Sequence, residues 1–147
     1  MKNIWILIFG LLASSMLVVS CADDDDDNGN DPNGPVITIT GGDMEVSPGT
    51  FAEYTLTVDP GRSDLKSYRV LVDGVEATTA DFMVEGAPPA ANPILLEGFD
   101  NETGFTTTIS FLAPDNNGAS NVYEVEVTDQ SDRVSTSDPV TISTPAQ

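Results

Sequence analysis

One cysteine, Cys21, stands two residues before five consecutive aspartates, Asp23 to Asp27. A thiolate is a strong nucleophile and metal ligand, so the chemistry open to Cys21 depends on what else the chain supplies. Cys–His catalysis needs a histidine, and the 147 residues contain none. The same absence removes Ser–His–Asp catalysis and any zinc site built on histidine. A second cysteine for a disulfide is also missing. Carboxylate pairs of the kind that hydrolyse glycosides stay open in principle, but they need a cleft that one small domain has little room to form. The aspartate run itself begins a calcium-loop pattern, with Asp24, Asp26, Asn28 and Gly29 in D-x-[DN]-x-[DN]-G spacing. That loop requires a bidentate glutamate at its twelfth position, where Pro35 stands, so an EF-hand-like site is excluded.

The residues that lead to Cys21 explain the thiol better. "MKNIWILIFGLLASSMLVVSC" has a basic Lys2, an apolar run from Ile4 to Val19 and small residues near its end. A membrane span needs about 20 predominantly apolar residues, and this run is shorter. Basic start, short apolar core and small residues before a cleavage point describe a secretory signal. Val18-Val19-Ser20-Cys21 resembles a bacterial lipobox, with an aliphatic residue three before the cysteine and small Ser20 just before it. The resemblance implies cleavage between Ser20 and Cys21 and a covalent lipid on the Cys21 sulfur and amine. Stable anchoring takes two or more acyl chains, because each buried CH₂ contributes only about 0.8 kcal/mol. The acidic run Asp23, Asp24, Asp25, Asp26 and Asp27 resembles the surface-export signal of Bacteroidota lipoproteins. It implies an outer-membrane protein facing the cell exterior. The plainer reading is a solvated spacer, since like charges keep a segment extended.

Charge narrows the partners. Asp and Glu number 24 against five Lys and Arg, a formal net charge of −19. Without Lys2 the bases are Arg62, Lys66, Arg69 and Arg133. Nucleic acid is excluded as a partner, because phosphate binding needs a basic footprint. Residues 22 to 35, "ADDDDDNGNDPNGP", hold no large apolar side chain and read as a linker. Fourteen residues reach at most about 45–50 Å when fully extended.

After Val36 the pattern becomes period two. "FAEYTLTVD" (51–59) puts Ala52, Tyr54, Leu56 and Val58 on one face. "LKSYRVLVDG" groups Tyr68, Val70 and Val72; "FTTTISFLA" groups Phe105, Thr107, Ile109 and Phe111. "NVYEVEVTD" turns Tyr123, Val125 and Val127 inward and Glu124 and Glu126 outward. "VITIT" (36–40) and "PVTIS" (139–143) alternate in the same way. Such alternation marks half-buried strands, and Asp73-Gly74 is a tight-hairpin signal. The expected fold is all-β: a single sandwich of about seven strands. The expected organisation is a signal over 1–20, the lipidated cysteine and acidic linker over 21–35, and one domain over 36–145.

The stretch "APDNNGASNVYEVEVTDQSDRVSTSDPVTI" (113–142) resembles the last two strands of bacterial immunoglobulin-like, cadherin-like or PKD-like extracellular domains. In such domains a tyrosine at the place of Tyr123 often caps a neighbouring loop with its hydroxyl. The immunoglobulin disulfide and core tryptophan are absent, so an antibody-type domain is not implied. Cadherin-like domains bind calcium through loop oxygens, which makes Asp115, Asn117, Asp129 and Asp132 candidate ligands here. Asp and Asn are equally the standard turn residues. Sugar platforms use exposed aromatics, and Phe51, Phe82 and Phe99 are those that the strand faces leave over. The segment "DFMVEGAPPAANPILLEGFDNETG" (81–104) fits the strand pattern least. Long loops of this kind are commonly functional, or they pack their apolar residues over a sheet edge. The expected function is non-catalytic: a lipid-anchored surface protein for binding or adhesion, or an accessory subunit, with no cofactor. Its partners would be the membrane, through the anchor, and a protein or glycan ligand. A periplasm-facing structural lipoprotein and a small carbohydrate-binding module are the alternatives.

Overall fold

The computed structural model describes residues 33–147. Ser20, Cys21 and Asp23 to Asp27 lie outside the described residues, as do the first two expected segments apart from Asn33 to Pro35. The strands are β1 (Val36–Thr40), β2 (Met44–Glu45), β3 (Phe51–Asp59), β4 (Leu65–Val72), β5 (Val75–Glu76) and β6 (Phe82–Val84). They continue with β7 (Ile94–Leu95), β8 (Phe105–Leu112), β9 (Ser120–Asp129), β10 (Val134–Thr136) and β11 (Val140–Ser143). A 3-10 turn, Asp100–Thr103, leads into β8.

Two sheets form. One has the order β1-β3-β8-β6, the other β2-β11-β9-β4-β5, with β10 on β9 and β7 on β4. Among the described residues every long pairing is antiparallel, and only β2 runs parallel to its neighbour, β11. Here an ABED-like sheet faces a GFC-like sheet, the arrangement of immunoglobulin-type sandwiches. The fold is thus an all-β, two-sheet sandwich with an immunoglobulin-like strand order. It departs from a plain seven-strand domain by several two- and three-residue strands, which sequence alternation is too short to reveal.

The long strands bury the faces that alternation assigns. Ala52, Tyr54, Leu56 and Val58 of β3 are buried, as are Tyr123, Val125 and Val127 of β9. Asp73 and Gly74 both have positive φ, 50° and 76°, and join β4 to β5 through Val72 opposite Val75. Positive φ at both central residues defines the type I′ turn that matches strand twist.

Aromatic rings join the two sheets. Phe111 of β8 stacks on Tyr123 of β9, with centroids 4.5 Å apart and planes at 9°. Tyr54 packs on the same Phe111 at 5.4 Å. The Tyr123 hydroxyl donates to the Leu112 carbonyl at 2.8 Å, so it ties β9 to the end of β8, as the resemblance implies. Phe82 is fully buried and belongs to this core. It is therefore no candidate for a sugar platform.

Burial raises the Tyr123 phenol to about 12 and raises Tyr68 as well. The native fold favours the neutral phenol. The stability this contributes is present below pH ~10 and is lost as pH rises through about 12. Tyr123→Phe should cost about 1–2 kcal/mol in urea unfolding at pH 7, because the Leu112 carbonyl loses its partner. The variant should also show a smaller fall in stability between pH 10 and 12 than the parent.

Candidate functional site

The segment from Val84 to Phe105 closes one side of the sandwich incompletely. β7 pairs with β4 through Ser67 opposite Leu95 and Tyr68 opposite Ile94. This is the edge-covering role expected of the apolar run, and it buries Leu96 while leaving Leu95 68% exposed. On the other sheet, β6 covers β8 only from Ile109 to Phe111. The space between β7 and the first half of β8 is a groove of about 640 Å³.

Its floor is Tyr68 and Phe105, one from each sheet, with ring centroids 5.5 Å apart. Pro89, Pro93, Ile94 and Leu95 form one wall, and Phe99 stands at the rim, 64% exposed. The polar groups are few: Glu85, Asn101, Thr107 and the Tyr68 hydroxyl. Tyr68 is 3% exposed, so its ring is almost wholly packed where it floors the groove. An apolar lining with a few placed polar groups is what ligand sites look like.

The wall is held by a side chain that imitates a strand. Asn92 Oδ1 accepts from the Val70 amide at 3.0 Å, and Asn92 Nδ2 donates to the Val70 carbonyl at 2.9 Å. The same Nδ2 donates to the Ala77 carbonyl at 2.8 Å. Asn92 thereby fills the gap in the ladder along β4 between β5 and β7. Opposite it, Glu85 and Gly86 form a two-residue turn with φ 52° and 81°, closed by Val84 and Ala87 bonding each other at 2.9 and 3.1 Å. A glutamate at positive φ is unusual and costs on the order of 1 kcal/mol. It carries the carboxylate to the mouth of the groove, where Thr107 Oγ1 donates to Glu85 Oε1 at 3.3 Å.

The four candidate calcium ligands do not meet. Asp115 and Asn117 precede β9 and Asp129 ends it, so the ten-residue strand holds the pairs roughly 30 Å apart. Asp129 is fully buried, and its oxygens are already used. Asp129 Oδ1 accepts from the Ser131 and Arg133 amides at 2.8 and 2.9 Å, and Oδ2 from the Arg133 guanidinium at 2.8 Å. Asp132 has φ 60° and pairs with Lys66 at 2.6 Å in the open. These residues build the turn from β9 to β10. Among the described residues no group of three or more acidic, His or Cys side chains is placed to hold a metal. The groove has one lining carboxylate, Glu85, where a glycosidase pair needs two.

The groove was visible in the sequence only as the segment that fails to alternate. Tyr68 and Phe105 read as core residues; Tyr68 is buried and Phe105 only partly so, and nothing in their spacing shows that the core is open beside them.

No protein-family model matches the chain, and no curated protein does. Solved structures do match in fold. The SrpA adhesin of Streptococcus sanguinis aligns at TM-score 0.52 and 14% identity over 80% of this chain and 60% of its own. This chain therefore spans about three fifths of the adhesin's length. A conjugative transposon lipoprotein from Bacteroides eggerthii aligns at TM-score 0.51 and 14% identity, over 77% of this chain and 98% of its own. Identities this low establish the sandwich fold and nothing finer.

Asn92→Ala should lower stability by about 2 kcal/mol, since it strips three bonds from buried main chain. It should also speed hydrogen exchange at Val70, the amide that Asn92 accepts from. Asp129→Ala should cost about 3 kcal/mol, because it leaves Arg133 and two amides without their acceptor. Millimolar calcium should leave the Tm of the parent unchanged in the same scans.

Proposed function

We propose that this chain is a non-catalytic binding module, tethered to the outer membrane through acylated Cys21 and displayed on the cell exterior. The observation that carries the binding role is the groove between β7 and β8, an apolar site floored by Tyr68 and Phe105 with few polar groups. The tether rests on the Val18 to Cys21 lipobox pattern, and the display on Asp23 to Asp27. In this reading residues 1–20 are removed, 21–35 form the spacer and 36–145 form the module. Two chains that share the fold are an adhesin and a lipoprotein, which is compatible with both halves of the reading. The exposed ring of Phe99 favours a second reading, a small carbohydrate-binding module. A single ring and few donors make a poor sugar platform, so the protein-ligand reading is preferred.

In cells fed an alkyne fatty acid, the parent should carry label and pellet with membranes, and Cys21→Ala should do neither. Protease added to intact cells should digest the parent. A variant with Asp23 to Asp27 all changed to alanine should be spared, with a periplasmic lipoprotein as the lysis control. Protection of the parent would place the module inside the envelope and sink the display half of the reading.

A further inference from the structure

The groove lies beside an unfinished strand edge. Main-chain groups of a strand alternate sides, and the Ala113 amide donates to Thr50 of the β3 side at 2.8 Å. Odd-numbered residues of β8 therefore face β3, and Thr106, Thr108, Ser110 and Leu112 face β6. The Leu112 amide donates to the Asp81 carbonyl at 2.8 Å, and the Glu85 amide donates to the Thr108 carbonyl at 2.9 Å. There the covering ends, because the turn at Glu85 and Gly86 sends the chain away. The Thr106 amide and carbonyl and the Thr108 amide have no strand opposite them among the described residues.

The two faces of this open edge differ. On the inner face lies the apolar groove, with Phe105 and Thr107 pointing into it. On the outer face lies a shallow polar cleft lined by Glu53, Thr55, Glu85, Thr106 and Thr108. Neither lining contains a Lys or Arg. Lys66, Arg69 and Arg133, three of the four cations among residues 33–147, are already paired with carboxylates.

The geometry points to an extended cationic peptide as the occupant, added as a strand to β8 at Thr106 and Thr108. This rests on the binding-module reading and names its ligand class. A strand in that place would alternate. Its inward side chains would be apolar and enter the groove against Phe105, Leu95 and Phe99. Its outward side chains would be Lys or Arg and would meet Glu53 and Glu85. Main-chain bonds supply affinity in such additions, and alternate pockets supply specificity. An anionic membrane surface fits worse, since the two linings carry Glu53 and Glu85 and no cation, and would be repelled.

The test uses the full chain as the cell makes it, carried in lipid nanodiscs. The probe is a phage library of randomised decapeptides, and binding of selected synthetic peptides is read by fluorescence anisotropy. Enriched peptides should alternate apolar residues with Lys or Arg. Their binding should weaken by about tenfold or more when salt rises from 50 to 500 mM. Thr106→Pro removes an amide that points off the open edge, a place where strands accept proline. With its Tm retained, it should lose at least about tenfold in affinity, a loss a purely apolar ligand would not show. Leu95→Asp and Phe99→Glu change exposed side chains, so folding is safe, and each should lose a similar factor. Glu53→Lys with Glu85→Lys should abolish the preference for cationic peptides.

Three results would overturn the proposal: no enrichment above the Phe99→Glu control, peptides without basic residues, or equal binding to Thr106→Pro. If oligosaccharides or phosphatidylglycerol vesicles bind instead, and Phe99→Glu abolishes it, the ligand class is wrong while the binding module stands. If peptides, oligosaccharides and vesicles all fail, the binding module falls too.

Discussion

The structure hangs on β8. Its Phe111 stacks on Tyr123 of the opposite sheet, and its Phe105 meets Tyr68 of the same opposite sheet. A sandwich without a disulfide must hold its sheets together mainly by buried area and ring contacts. Each aromatic side chain brings a large apolar area, and a well-placed pair adds about 0.5–1.5 kcal/mol beyond burial. The Tyr123 hydroxyl converts one of these contacts into a directional link by bonding the Leu112 carbonyl. Position along β8 is thereby set at both ends. Inward-facing residues cannot slip by one without turning every apolar side chain to solvent.

The two aromatic pairs differ in what surrounds them, and that difference creates the site. Around Phe111 the sandwich is sealed, because β6 pairs there and Phe82 fills the space. Around Phe105 it is not, because β6 is only three residues long. The chain then spends the residues up to Asn101 on prolines, a strand-like asparagine and a two-residue β7. The result covers the edge of β4 but leaves that of β8 bare. The groove arises from incomplete closure of the core.

Much of this was legible in the residues. Alternation in "FAEYTLTVD" and "NVYEVEVTD" named the buried faces, because period two is a direct consequence of strand geometry. Asp73-Gly74 marked its hairpin, and Tyr123 its cap. The short strands were not legible, since two residues cannot show a period. Asp129 misled for a physical reason. A turn carboxylate that binds calcium and one that binds its own main chain are the same residue in the same setting, and only the Arg133 guanidinium and two amides separate them. Phe82 and Phe99 looked equivalent in the sequence. What divides them is that Phe82 lies opposite Phe111 in a ladder and Phe99 precedes a 3-10 turn.

Charge completes the argument. The described residues hold eighteen carboxylates and four cations, a balance that keeps copies of the chain apart. Exposed strand edges invite pairing between identical chains, and natural proteins guard them with charge. Glu85 and Glu53 beside the bare edge of β8 do this against a second copy, which would bring its own acids to the same place. The guard is selective by sign. What repels an acidic strand attracts a basic one, so two carboxylates that oppose pairing with an acidic strand leave the edge open, on the proposed reading, to a partner of opposite charge. An edge that had to be closed to every strand would be covered by chain, as that of β4 is by β7 and Asn92.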